Sequence, residues 1–392
     1  MSSTTKNNAA RSKTLDDDDE PSVPTAAMPP VIVVKVGGSS ITDKGTLETL
    51  QPGALEWLAE ALKKNLDLRF LAPQEEEEEE SDTNITDDFP PPKVAYILVH
   101  GAGSFGHFHA KKYGLRGVNP LSANRDKKIS AKAVLDTSEE RTRRRGLALT
   151  RQSVKLLNHL VVQALVQRGI NAVGISPGVW SNTTTDLGRS AISTIPDAQQ
   201  LRNVVAQTLR AGLIPVLHGD GCIFEGTPGI LSGDIVVQLV VDTQLTQKVV
   251  FLTDVPGVFT ADPKQDASAV RIPYMHVVSQ KSLSRDHHTS PPPEGHENGS
   301  ENKKDSVLSL PSSFTGWSGA GSSMHEHDVT GGLATKLDSA VTIVQETQST
   351  VAIAHFGSST AKVLLSATHV TKETTEAKDF EGTVLFPSLL RA

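Results

Sequence analysis

The feature that most constrains this chain is Val31-Ile32-Val33-Val34-Lys35-Val36, a β-branched run broken by one lysine and closed at once by Gly37-Gly38-Ser39-Ser40. A run that is apolar at both odd and even positions fits a strand covered on both faces, because side chains alternate between them. Similar runs recur at Ala95–His100, Ala172–Ile175, Leu213–His218, Val249–Thr253, Val351–Phe356 and Thr383–Phe386. Between them, apolar residues return at helical spacing over Leu47–Lys64, Glu139–Gln167, Asp197–Ala211, Ile235–Leu245 and Thr335–Glu346. Strand alternating with helix predicts an α/β protein with a largely parallel sheet. Ligands in such a sheet bind beyond the C-terminal ends of the strands.

Three stretches stand outside this rhythm. Residues 1–29 are polar and then acidic and read as a disordered tail, because they carry too little apolar surface to order themselves. Pro73–Pro92 and Arg285–His327 read as surface insertions into one domain spanning 30–392, since a compact core has no place for long aperiodic loops. Eleven of the 45 acidic residues lie in two runs, Asp16–Glu20 and Glu75–Glu80, so the net charge of −7 is local. With the three stretches set aside, the rest is net basic, which suits anionic ligands. The single cysteine, Cys222, leaves no disulfide framework. No apolar run reaches the roughly 18 residues needed to cross a bilayer, and the N-terminus lacks a signal-like apolar stretch. A soluble, cytoplasmic protein is expected.

Several predicted strands end in glycines. Lys35-Val36-Gly37-Gly38-Ser39 with Lys44 lets backbone N–H groups approach an anion with positive charge beside them. Gly101-Ala102-Gly103-Ser104-Phe105-Gly106-His107 matches the dinucleotide pattern G-x-G-x-x-G, yet no second strand ending in an acid follows, since Gly114–Lys128 is polar and basic. The loop still fits phosphate, with His107 opening the next helical segment as a hydrogen-bond donor. Further glycine sites are His218-Gly219-Asp220-Gly221, Ser232-Gly233-Asp234, Thr253-Asp254-Val255-Pro256-Gly257 and Gly331-Gly332 with Lys336. Neither a G-x-x-x-x-G-K-[S/T] loop nor the His-Arg-Asp and Asp-Phe-Gly motifs of protein kinases are present.

The order of these motifs resembles the amino-acid kinase superfamily, and the histidine closing the second loop resembles its isopentenyl phosphate kinases. The resemblance runs from Val31 to the C-terminal strand and implies a three-layer αβα sandwich. It implies that residues 30–220 hold the phosphate acceptor and 221–392 hold ATP. Positions matching Lys35, Gly37, Gly38 and Ser39 would hold ATP phosphates, and Lys44 would stabilise the transferring group. Those matching Gly103, Asp254, Gly332 and Lys336 would touch the nucleotide, and Ala102, His107 and Gly233 the acceptor phosphate. Lys44, His107 and Lys35 would carry the catalysis. ATP with Mg²⁺ would phosphorylate isopentenyl phosphate, with dimethylallyl phosphate as a second acceptor, in a homodimer. One departure is Pro256, at a position commonly acidic in the superfamily.

A superfamily member acting on a carboxylate or another phosphate monoester, or a ligand sensor without turnover, are the alternatives. His100 and His218 end strands near the site and read either as residues that support the site from behind or as packing residues. Cys222 reads as an unreactive thiol, lacking a recognisable base. The Arg141–Arg145 cluster, flanked by Glu139 and Glu140, reads as a solvated helix face or a rim that attracts anionic substrate, and no nucleic-acid or membrane partner is expected. The five histidines between His287 and His327 lack the spacing of a metal site.

Overall fold

The computed structural model describes residues 28–72, 93–118, 137–178, 181–184, 190–193, 198–224, 226–261, 266–278, 332–366 and 369–388. The predicted tail up to residue 27 and both insertions lie outside the described residues. The run at Val31–Val36 is strand β1, and all six of its residues are buried. It sits inside an eight-stranded sheet with β2 (Ala95–His100) on one side and β10 (Thr246–Thr253) on the other, both parallel to it. Beyond β2 come β7 (Ile214–His218) and β4 (Ala172–Gly174); beyond β10 come β14 (Thr350–His355), β15 (Gly382–Pro387) and β13 (Tyr274–Val277).

Only β15 and β13, parallel to one another, run against the rest, because β14 and β15 pair antiparallel. The fold is thus α/β with a mostly parallel sheet. Helices α2 (Ala54–Lys63) and α4 (Ser138–Val166) pack together on one side, and α5 (Ala198–Arg210), α6 (Gly233–Val240) and α7 (Gly332–Thr347) on the other, which makes three layers. Helix α3 (Gly103–Lys112) follows β2 and lies on α4. No helix among the described residues is long and apolar enough to cross a membrane.

Two predicted helices are shorter than their apolar spacing. Over Leu47–Lys64 the helix begins only at Ala54, because Gly53 takes φ +73° and turns the chain into it. Over Ile235–Leu245 it ends at Val240, with Val241 already extended. Several strands are absent from the sequence reading, among them β13 at the edge of the main sheet and the hairpin that β8 (Asp220–Phe224) and β9 (Thr227–Leu231) form directly after β7.

Candidate active site

Parallel packing brings the C-terminal ends of β1, β2, β7 and β10 to one edge, and their glycine turns close upon each other there. A Cβ on Gly38 would stand 2.2 Å from the Gly103 nitrogen, and one on Gly101 would stand 2.6 Å from the Gly38 nitrogen. The turns after β1 and β2 therefore pack backbone on backbone, which only glycine allows. Thr42 ties them: its hydroxyl donates to the Gly38 carbonyl at 2.8 Å and accepts from the Ser104 N–H at 3.0 Å. On the next strand, the Gly219 N–H donates to the His100 carbonyl at 3.0 Å. A Cβ at Gly219 would meet the Gly233 nitrogen at 2.9 Å. Ser232 caps α6 by accepting from the Ile235 N–H, which places Gly233 and Asp234 in its first turn.

Two ion pairs cross this edge. Lys35 and Asp234, each 4% exposed, meet at 2.7 Å. A lysine inside a fully buried strand must find a carboxylate, because an unpaired buried charge is strongly unfavourable. Burial alone would raise the Asp234 carboxyl, but the charges of Lys35 and Lys336 outweigh it and hold it below the ordinary carboxylate range. Lys44 donates to Asp254 Oδ2 at 2.6 Å, and this pair is about one third exposed. Burial pushes Asp254 up, whereas the hydrogen bond and charge of Lys44, aided by Lys336, bring it down to about 2. Lys336, on α7, thus acts electrostatically on both carboxylates. The loop bearing Lys44 is shaped by Asp43, whose carboxylate accepts from the Gly45 N–H at 2.8 Å and the Thr46 hydroxyl at 3.3 Å.

The residues expected from sequence are thereby placed as follows. Lys35 and Lys44 form the two pairs, Lys336 acts on both carboxylates, Gly37 and Gly38 lie in the turn after β1, and Ser39 and Asp254 line one pocket. Ala102 stands at the N-cap of α3, Gly103 opens that helix with φ +49°, and His107 lies half-buried further along it. Gly233 lies beside Lys35, with a Cβ there 3.5 Å from Lys35 Cε. Gly332 opens α7, and Gly331 lies outside the described residues.

Sequence reasoning missed the role of Asp234, which stood in a quoted motif; the signal was an acid following a helix cap at the same edge as a buried lysine. It also missed a polar cluster around Asp220, where Arg151 approaches Oδ2 at 3.1 Å and the Ser176 hydroxyl donates to the same oxygen at 3.0 Å. Burial pushes the Cys222 thiol up to about 12, with Asp220 adding to the shift, so it is a protonated, inert side chain at neutral pH.

Asp234 and Asp254 are both engaged by lysines, and among the described residues no three His, Cys, Asp or Glu side chains are grouped to hold a metal ion. The described residues at this edge do not fit a resident Mg²⁺ cage.

An α/β sheet with glycine turns and paired lysines at one edge is the architecture of a phosphate-handling protein. The Amino acid kinase family profile matches residues 30–355, and the chain belongs to that family. Isopentenyl phosphate kinase of Arabidopsis thaliana is 33% identical over 247 residues, covering 59% of this chain. This chain spans 65% of that relative's length. Isopentenyl phosphate kinase of Thermoplasma acidophilum is 25% identical over 241 residues, covering 61% of this chain and 73% of the relative. A crystal structure of an isopentenyl phosphate kinase superposes with a TM-score of 0.51 at 20% identity, over 87% of this chain and 98% of that one, a likeness of fold.

Proposed function

We propose that the protein transfers the γ-phosphoryl group of ATP to isopentenyl phosphate, giving isopentenyl diphosphate and ADP. The observation that carries this reading is the presence, at the sheet edge where the glycine turns close, of the Lys35–Asp234 and Lys44–Asp254 pairs, both of whose carboxylates feel the charge of Lys336. The relatives named above support the choice of acceptor. A phosphate monoester, with a second pKa of about 6, is largely dianionic at neutral pH and attacks without a general base. Its oxygen forms a bond to the γ-phosphorus while the bond to the β,γ-bridging oxygen breaks and ADP leaves. What the protein must supply is alignment and neutralisation of charge.

Lys35, beside Gly233 on one side and the β1 turn on the other, bridges acceptor and donor. Lys44 stabilises the transferring group, and Lys336 takes the donor side with Gly332. Asp234 and Asp254 hold two of these ammonium groups in place. Ala102 and His107 bind the acceptor phosphate, and Mg²⁺ enters with ATP as part of the substrate. Incubating the purified protein with ATP, Mg²⁺ and, separately, isopentenyl phosphate, dimethylallyl phosphate, UMP and acetylglutamate tests the reading. Diphosphate from a prenyl phosphate is the expected product; phosphorylation of UMP or acetylglutamate alone would assign another acceptor, and no turnover at all would favour a ligand sensor.

A further inference from the structure

The mechanism leaves unused the imidazole of His100, which is completely buried at the end of β2, directly before the Gly101-Ala102-Gly103 turn. Its two ring nitrogens have different partners. Nε2 lies 3.1 Å from Asn158 Nδ2, and Nδ1 lies 3.0 Å from the Gly101 carbonyl oxygen. The orientation of the Asn158 amide is settled by a third contact, because Nδ2 also stands 3.1 Å from the Val216 carbonyl, which can only accept. Asn158 is therefore the donor toward His100, and Nε2 must be an unprotonated acceptor. The ring hydrogen then sits on Nδ1 and is given to the Gly101 carbonyl.

That one hydrogen bond has a consequence across the peptide. In a trans peptide the carbonyl and the following N–H point in opposite directions. Fixing the Gly101 carbonyl toward the buried ring turns the Ala102 N–H away from that ring. Among the described residues no hydrogen bond takes that N–H. The neighbouring strand repeats the device: His218, opposite His100 in the ladder and stacked on it at 5.8 Å, has Nδ1 3.0 Å from the Gly219 carbonyl.

We infer that His100, held in its Nδ1–H form by Asn158, is a positioning residue that aims the Ala102 N–H at the acceptor phosphate. The inference rests on the reading of Ala102 as an acceptor contact. Burial, with His218 and Lys35 nearby, lowers His100 to about 3, so the ring stays neutral at working pH and keeps one acceptor for Asn158. Asn158 is itself locked in place, since a Cβ on Gly174 would stand 2.3 Å from its Oδ1.

Two isosteres separate positioning from packing. In His100→Asn the amide nitrogen can occupy the place of Nδ1 and keep the bond to Gly101. In His100→Gln the amide reaches the place of Nε2 and the Gly101 bond is lost. With ATP and isopentenyl phosphate as substrates of the full chain, His100→Asn should keep the acceptor KM within about threefold of wild type. His100→Gln should raise it about tenfold, the size of one lost hydrogen bond, with the ATP KM unchanged. Equal acceptor KM values for the two variants, or an equal rise in both substrates' KM values, would overturn the inference.

If neither variant folds, long-range ¹H–¹⁵N NMR of histidine-labelled wild type decides: the Nδ1–H tautomer at His100 supports the inference, and Nε2–H or imidazolium refutes it. A wild type that turns over no prenyl phosphate is a different result, and it removes the functional reading together with this inference.

Discussion

Replacing Asp234 with Asn keeps the shape of the side chain and removes the charge facing Lys35. Both groups are 4% exposed and meet at 2.7 Å, so the variant removes the carboxylate that faces a buried ammonium. Breaking a buried pair on one side destabilises by about 3 to 5 kcal/mol. In a domain of this size each kcal/mol moves the melting temperature by about 2 to 4 °C, so a fall of about 10 °C is expected without ligand. If Lys35 faces the phosphates of the donor, a bound nucleotide supplies the missing negative charge. The deficit should then shrink by at least about half in the presence of saturating non-hydrolysable ATP and Mg²⁺, because the ligand stabilises the variant more than the wild type. Differential scanning fluorimetry of both proteins, with and without nucleotide, reads all four values. An identical deficit in both conditions would show that Lys35 does not face the donor, and the arrangement of charges proposed here would be wrong.

Other expectations are equally direct. Gly103→Ala should destabilise by about 3 kcal/mol in urea titrations: φ of +49° is strained for alanine, and the new Cβ would stand 2.1 Å from Thr42 Oγ1, disrupting the two hydrogen bonds that hydroxyl makes. A loss below about 1 kcal/mol would contradict the close packing of the two turns. Lys44→Ala should lower kcat about a hundredfold or more while leaving the melting temperature within about 2 °C, since a pair one third exposed adds little stability; unchanged kcat removes Lys44 from the transfer step. Burial lowers both His100 and His218, so the unfolded chain takes up protons below pH about 6.5 while the folded one does not. Stability should therefore fall as pH drops from 6.5 toward 4, by about 1.4 kcal/mol per pH unit from His100, with a further loss of the same sign from His218; denaturant midpoints that stay level between pH 7 and pH 5 would count against two buried neutral histidines.

The sheet was legible where burial is uniform. β1 could be read from Val31–Val36 because each of its residues is covered, and α4 from the 3.6-residue return of Val154, Leu157, Val161 and Leu165. The glycine turns at Gly37-Gly38 and Gly101–Gly103 were also visible, since glycine after an apolar run marks a chain reversal wherever the chain then goes. The β8–β9 hairpin was not. Gly221 and Gly229 look like turn residues, yet both lie in strands, where a Cβ would collide with Leu147 and Val118 respectively, and those neighbours come from distant parts of the chain. Nor did Thr383–Phe386 reveal that β15 runs against β14, because an apolar run has no direction.

The same division holds for the site. Sequence by itself determined a mostly parallel α/β sheet and which turns carry glycine and lysine, because backbone conformation and burial leave periodic marks among neighbouring residues. Only the tertiary structure decided that Lys35 pairs with Asp234, that Lys44 pairs with Asp254, and that Asn158 sets the proton of His100. Each of these joins residues far apart in the chain, and such a pairing depends on which strand ends meet at the sheet edge, a distance no local pattern encodes.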